Sequence, residues 1–418
     1  MQGILGSFIF SNFILGNILA SPPSSLRLVS LLYRHGDRSP VKIYPKDIHQ
    51  EYNTWPDGLG WLTNLGKQQQ YELGEFLKDR YDGFLNTSYY NHEEIRVESS
   101  AENRCLMSAY SNLAGLYPPL AAQLWNPDLK WQPIPVQSKP LETDNKLGLK
   151  QPCPRYDQLF AELLNSTAVR EEQESYEEFF KMVEKNTGIK RESLKDFWSV
   201  ADTLTCEKAH NLTWNDWVYA PDVWETILEL QTIAFDLLFN TSAMVRLKGG
   251  PLLKEIIANM EAASETLNPL PKVYMYSAHD TTVAALLRAM LIFNTPPPEY
   301  RALVIVELHE IDSKHVVKIL YRNDSTTEPY EFIPKGCSDP CTLQEFIKVT
   351  AERVPGNWQE ECKVKVKPSN SGSDSLSPAS WLALGVAVGL CITLVAVVTV
   401  LVVRLRCRRD SNVAYSRI

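Results

Sequence analysis

Arg34-His35-Gly36-Asp37-Arg38-Ser39-Pro40 follows directly on Leu28-Val29-Ser30-Leu31-Leu32-Tyr33, and the reading of this junction decides the fold. The apolar run is short, rich in leucine and carries a β-branched residue, which is the pattern of a buried strand. Gly36 breaks the strand and lets the backbone come close to whatever binds there. Two arginines flanking one histidine at the carboxyl end of a buried strand are laid out to hold an anion. Guanidinium forks take phosphate oxygens bidentately, and a neutral imidazole between them can attack phosphorus. An isolated Arg-His-Gly reads as a charged surface turn; the full seven residues after a strand argue for chemistry.

A second junction of the same kind lies far downstream. Lys272-Val273-Tyr274-Met275-Tyr276-Ser277-Ala278 runs into His279-Asp280-Thr281-Thr282, and the helical stretch Val283 to Met290 follows. In open α/β sheets ligands bind beyond the carboxyl ends of central strands, and a following helix offers free N–H groups to an anion. A His-Asp pair alone would cap a helix or bind a metal; two such junctions together form one site. Between them, Glu94 to Ala109 reads as a short strand, a polar turn containing Arg104, and a helix start.

The intervening pattern completes an α/β fold. Thr63 is placed to cap a helix whose Leu73, Phe76, Leu77 and Tyr81 repeat at helical spacing. From about 150 to 248 the chain turns Glu-rich and amphipathic, with Trp198, Trp214, Trp217 and Trp224 as core residues. That is a mostly helical insert, in which His210 has no evident partner and is read as structural. Helical pattern resumes at Gly249-Gly250. Val304 to His309 and Val316 to Tyr321 read as paired antiparallel strands at a sheet edge. The expected fold is α/β, with a central mostly parallel sheet flanked by helices and an inserted mainly helical cap.

The ends of the 418-residue chain set its topology. Residues 1–20 are apolar and read as a secretory leader, though without the usual positive start. Trp381 to Val403 is an uncharged run long enough to span a bilayer, and Arg404, Arg406, Arg408 and Arg409 follow it. The expectation is a single-pass type I membrane protein: lumenal or extracellular domain 21–380, stalk 363–380, transmembrane helix 381–403 and cytosolic tail 404–418. The net charge of −8 argues against a nucleic-acid partner. In the lumen, Cys105, Cys153, Cys206, Cys337, Cys341 and Cys362 are disulfide candidates without zinc-like spacing. Asn86, Asn165, Asn211, Asn240 and Asn323 head glycosylation sequons. The tail ends Tyr415-Ser416-Arg417-Ile418, a tyrosine-x-x-apolar pattern that sorting adaptors read. Lysosomal membrane is the first expectation and plasma membrane the second.

Taken together, the two junctions resemble the signature of the histidine acid phosphatases, a branch of the histidine phosphatase superfamily. Leu32 to Lys42 and Tyr276 to Thr282 carry most of the likeness, which spans roughly Leu26 to Cys362 and is nearest the lysosomal and prostatic types. The resemblance implies that His35 is the nucleophile and becomes phosphorylated. Arg34, Arg38, Arg104 and His279 would bind the phosphoryl group, and Asp280 would protonate the leaving oxygen. The substrate would be a phosphate monoester, the optimum acidic, and no metal or other cofactor would be needed; a homodimer is implied as well. The same likeness implies disulfides Cys153–Cys362 and Cys337–Cys341. The partner position of Cys206 falls on Leu303, so Cys206 is free, pairs with Cys105 or bridges two chains. Asp37 is read as holding an arginine.

Residues 98–105 depart from the pattern R-S-T-D-x-D-R-T expected there: Glu98, Ala101, Asn103 and Cys105 all differ. A glutamate pointing into a phosphate pocket would weaken it. Glu98, Ala101 and Cys105, with Leu303 at the expected cysteine position, keep a second reading open, a silent membrane glycoprotein of the same fold acting as a receptor or interaction module; the intact pair of junctions opposes it. A mutase or phytase-like specialist is a third, and it needs a pocket for two phosphates that the sequence does not display.

Overall fold

A computed structural model describes residues 25–190, 193–292, 297–323 and 326–364. Its seven strands are β1 (Leu26–Arg34), β2 (Ile95–Ser100), β3 (Gln137–Lys139), β4 (Val273–Ala278), β5 (Leu303–Ile311), β6 (Lys314–Arg322) and β7 (Tyr330–Phe332). They form one sheet in the order β3-β2-β4-β1-β5-β6-β7. The β3-β2-β4-β1 half is parallel, and β5, β6 and β7 continue from β1 antiparallel.

The run Leu28–Tyr33 is continuously apolar because β1 is buried on both faces. Leu28 and Leu32 enter one core, whereas Val29, Leu31 and Tyr33 enter the other. The second core is closed by α1 (Asn64–Arg80) and α2 (Asn103–Leu116), through Leu73, Leu77, Leu113 and Leu116. Thr63 caps α1, accepting from the Gly66 N–H at 3.1 Å.

After β3 come α3 (Pro154–Leu164), α4 (Thr167–Ser175), α5 (Glu177–Thr187), α6 (Trp198–Ala209) and α7 (Val223–Leu237). These helices share a core of their own, which includes Phe180, Phe197, Leu204 and Ile227 and which Tyr44 joins from the loop after β1. The chain returns through α8 (Ser242–Lys248), α9 (Gly250–Ser264) and α10 (Asp280–Ala289); with α11 (Leu343–Thr350) they cover the first face of the sheet.

One strand expectation is corrected. β5 lies beside β1 inside the sheet and is buried from Leu303 to His309, while the edge is the three-residue β7. An internal strand covered by helices on both faces carries no strict alternation from which its place can be read.

Disulfides join Cys153 to Cys362 and Cys337 to Cys341; Cys105 and Cys206 are buried free thiols, so they do not pair with each other. Among the described residues no helix is long and apolar enough to cross a membrane. The expected leader, the stalk beyond Val364, the span 381–403 and the tail with Tyr415–Ile418 lie outside the described residues.

Candidate active site

Three neighbouring parallel strands end side by side. Arg34 at the end of β1 is in register with Ala278 of β4, and Ser277 of β4 with Ser99 of β2. The sequence-identified residues leave these three ends together: Arg34, His35 and Arg38 after β1, His279 and Asp280 after β4, Arg104 after β2.

The His35 N–H donates to Ala278 O at 2.9 Å, tying one junction to the other. Its ring Nδ1 is 2.8 Å from Gly36 O, which can only accept. Nδ1 therefore carries the proton and Nε2 keeps a free lone pair. Burial, then the charges of Arg34, Arg104 and Arg38, push the imidazole well below its ordinary range, so it stays neutral in acid.

Each arginine is held by its terminal nitrogens. Arg34 donates to Pro298 O (2.8 Å), pairs with Asp280 (3.0 Å) and stacks on the Tyr300 ring at 4.1 Å. Arg38 makes a two-pronged pair with Asp202 of α6, at 2.7 and 3.1 Å. Arg104 reaches Glu102 at 3.2 Å and His279 Nδ1 at 3.4 Å. In all three the buried Nε has no protein partner. Three unsatisfied guanidinium N–H groups around one neutral histidine amount to an unmet demand for acceptor oxygens.

His279 caps α10 and is pushed down to about 3, first by burial and then by Arg104. Its Nε2 lies 3.0 Å from Ser100 Oγ. Asp280, the first residue of α10, accepts from the Thr281 N–H at 2.7 Å. Burial raises its carboxyl, but Arg34, Arg38 and His279 outweigh this and hold it below the usual carboxylate range.

The structure corrects three readings of single residues and answers two questions left open by the sequence. Gly36 makes room for α1 rather than for a ligand: a Cβ there would stand 2.3 Å from Gly66 O. Among the described residues Asp37 holds no arginine; it is fully buried, accepts from Thr63 Oγ1 and lies 2.7 Å from His210 Nε2. His210 accordingly has a partner, and Trp55 packs edge-on against its ring at 5.0 Å. Glu98 pairs with Lys146, which also binds Glu255 at 2.7 Å, and with Arg96 at 3.4 Å, so two cations meet two carboxylates and its charge is spent in that cluster. The Cys105 thiol packs at Ala278 O and 3.6 Å from His279 Nε2, and burial pushes it well up, keeping it a neutral thiol.

Sequence reading missed Asp202, Glu102 and Tyr300. A carboxylate at a buried position of α6 has no local partner to explain it, which was the available signal for Asp202. Cys206 fills the space between Arg38 (3.7 Å) and the Tyr300 hydroxyl (3.4 Å), and burial drives its thiol up to about 12. Of the sequon residues, Asn86, Asn165, Asn211 and Asn240 are exposed, and Asn323 is half-buried.

Comparison with known proteins agrees with this geometry. The chain is 42% identical to lysosomal acid phosphatase of Homo sapiens over 363 residues, covering 85% of each. It is 39% identical to prostatic acid phosphatase of Homo sapiens over 342 residues, covering 81% of this chain and 88% of the relative. Among solved structures, the apo form of Hafnia alvei phytase superposes with a TM-score of 0.61 at 16% identity, over 82% of this chain and all of that one, a likeness of fold alone. The family model of the histidine phosphatase superfamily (branch 2) matches residues 25–322, from β1 to the end of β6 with both junctions inside. The chain belongs to that superfamily.

Proposed function

We propose that this protein is an acid phosphatase that hydrolyses phosphate monoesters through a phosphohistidine on His35. One observation carries the reading: a neutral imidazole with a free Nε2 lies among three guanidiniums whose buried Nε groups lack acceptors. Arg34, Arg38 and Arg104 supply the charge that a phosphoryl transition state develops on its oxygens. His279, whose Nδ1 accepts from Arg104 Nη2 at 3.4 Å and whose Nε2 lies 3.0 Å from Ser100 Oγ, is the fourth phosphoryl ligand of this reading. His35 Nε2 attacks phosphorus, the P–O ester bond breaks, and Asp280 protonates the departing oxygen. Water then attacks phosphorus, giving a proton to the Asp280 carboxylate as the O–P bond forms, and the P–Nε2 bond breaks to release phosphate and free histidine. The silent-receptor reading drew on Glu98, Ala101, Cys105 and Leu303; the likeness to lysosomal and prostatic acid phosphatases over most of the chain does not favour it, and the Glu98 charge is spent on cations outside the site.

The 381–403 span, the helical insert as a cap over the site, glycans on the five sequon residues and a homodimer belong to the same reading. Lysosomal relatives support delivery to that compartment, with Tyr415–Ile418 as the sorting signal. Trafficking of a tagged chain carrying Tyr415→Ala tests the signal: unchanged lysosomal arrival removes it.

The enzymatic test is rapid quench with a ³²P-labelled aryl phosphate. Alkali-stable, acid-labile label on the chain is expected, and it vanishes with turnover in His35→Ala. Turnover that survives His35→Ala overturns the nucleophile.

A further inference from the structure

Glu102 has no part in the reaction above, yet its carboxylate lies 3.2 Å from Arg104, on a side chain 28% exposed against 16% for the arginine. Arg34 and Arg38 face carboxylates too, Asp280 and Asp202. One anion for each cation leaves no strong positive field, so the site attracts a phosphoryl group through aimed N–H donors at short range. Asp202 is buried against Arg38, and Asp280 passes a proton to the leaving group. Glu102, as exposed as Asp280 (28% against 27%), is left as the partly exposed carboxylate that pairs with a candidate phosphate-binding arginine and takes no part in proton transfer.

We propose that Glu102 is a specificity-determining residue that repels further negative charge on the leaving group. The preferred substrates are then phosphate monoesters whose leaving group is neutral or cationic, and molecules bearing a second phosphate are poor ones. The inference rests on the phosphatase reading and deepens it. Two like charges a few ångströms apart at a partly exposed site repel by about tenfold in binding. Lys150, exposed and close enough to act on His279, is the cation that works against this effect.

The test compares kcat/KM for fructose 6-phosphate, fructose 1,6-bisphosphate and phosphocholine at about pH 5.5, where carboxylates are largely ionised. Glu102→Gln should raise the bisphosphate-to-monophosphate ratio about tenfold and lower the phosphocholine-to-monophosphate ratio. Ratios unchanged in the variant overturn the proposal. If the variant folds poorly, salt titration of the unmodified protein decides the matter. Screening a repulsion raises the bisphosphate ratio, whereas a fall with salt assigns the local field to Lys150 and overturns the role of Glu102. Loss of all three activities in the unmodified protein strikes the phosphatase reading instead, and this inference falls with it.

Discussion

Asp280 is the residue under the most conflicting demands. A proton donor, the role proposed for it, must hold a proton at the working pH, yet Arg34 stands 3.0 Å away and the net effect of its surroundings lowers its pKa. In the free protein it is a carboxylate. The proton therefore arrives with the substrate, because a phosphate monoester is a monoanion below a second ionisation near 6 (roughly). His35 adds no acid limit there, since its lowered pKa keeps Nε2 unprotonated. The expected profile of kcat/KM is a fall above the second ionisation of the substrate. That limb should move when esters of different second pKa are compared, whereas a limb fixed across substrates would place the proton on the protein. Asp280→Asn should cost about 10²–10⁴ in turnover of an alkyl phosphate. It should cost much less with a nitrophenyl ester, whose leaving group needs no proton.

At the scale of elements, α6 is the brace of the first junction. Asp202 binds Arg38 and the Val41 N–H, Thr203 donates to Lys42 O at 2.8 Å, and His210 just past the helix end reaches Asp37. Asp202→Ala leaves a buried guanidinium uncompensated and should destabilise the fold by about 3 kcal/mol, with Asp202→Asn costing less; urea denaturation measures both. Glu207, on the same helix, is raised to about 9, first by burial and then by the facing Asp47. A carboxyl raised on folding contributes stability that is whole below its unfolded pKa of about 4.5 and drains away as pH climbs toward the folded value. His35 and His279, both lowered, act oppositely and lose stability as pH falls below about 6.5. The comparison that isolates the helix is therefore with Glu207→Gln. The variant should melt about 5 °C above the unmodified protein at pH 8 and within error of it at pH 5. An equal difference at both values would mean that Glu207 is ionised in the fold.

For the whole molecule, the Cys153–Cys362 bridge ties the start of α3 to the last described turn of the chain, across a sequence separation of 209. Removing so long a closure by the double change Cys153→Ala with Cys362→Ala should cost about 2–5 kcal/mol. Since none of the strand ends that carry the site includes either cysteine, kcat at a permissive temperature should survive while the melting temperature drops. A matching loss of kcat would mean that the bridge also sets the geometry at the carboxyl ends of β1 and β4.

What the sequence determined by itself is what depends on near neighbours along the chain. A strand entering Arg-His-Gly and a strand entering His-Asp are local patterns, and five candidate site residues could be read from them; Arg104 came only from the family resemblance, while the α/β alternation and the α1 cap followed from periodicity and capping chemistry. Tertiary structure alone decided whatever joins distant segments. The Arg38–Asp202 pair spans 164 residues and the Asp37–His210 contact 173, and no periodicity reports such a meeting. The fate of Glu98 belongs here as well: its charge is evident in the sequence, but its pairing with Lys146 depends on how the chain returns beside β2. The place of β5 beside β1 was hidden for the same reason. Burial on both faces removes the alternation that would have located it, and only the packed sheet assigns its neighbours.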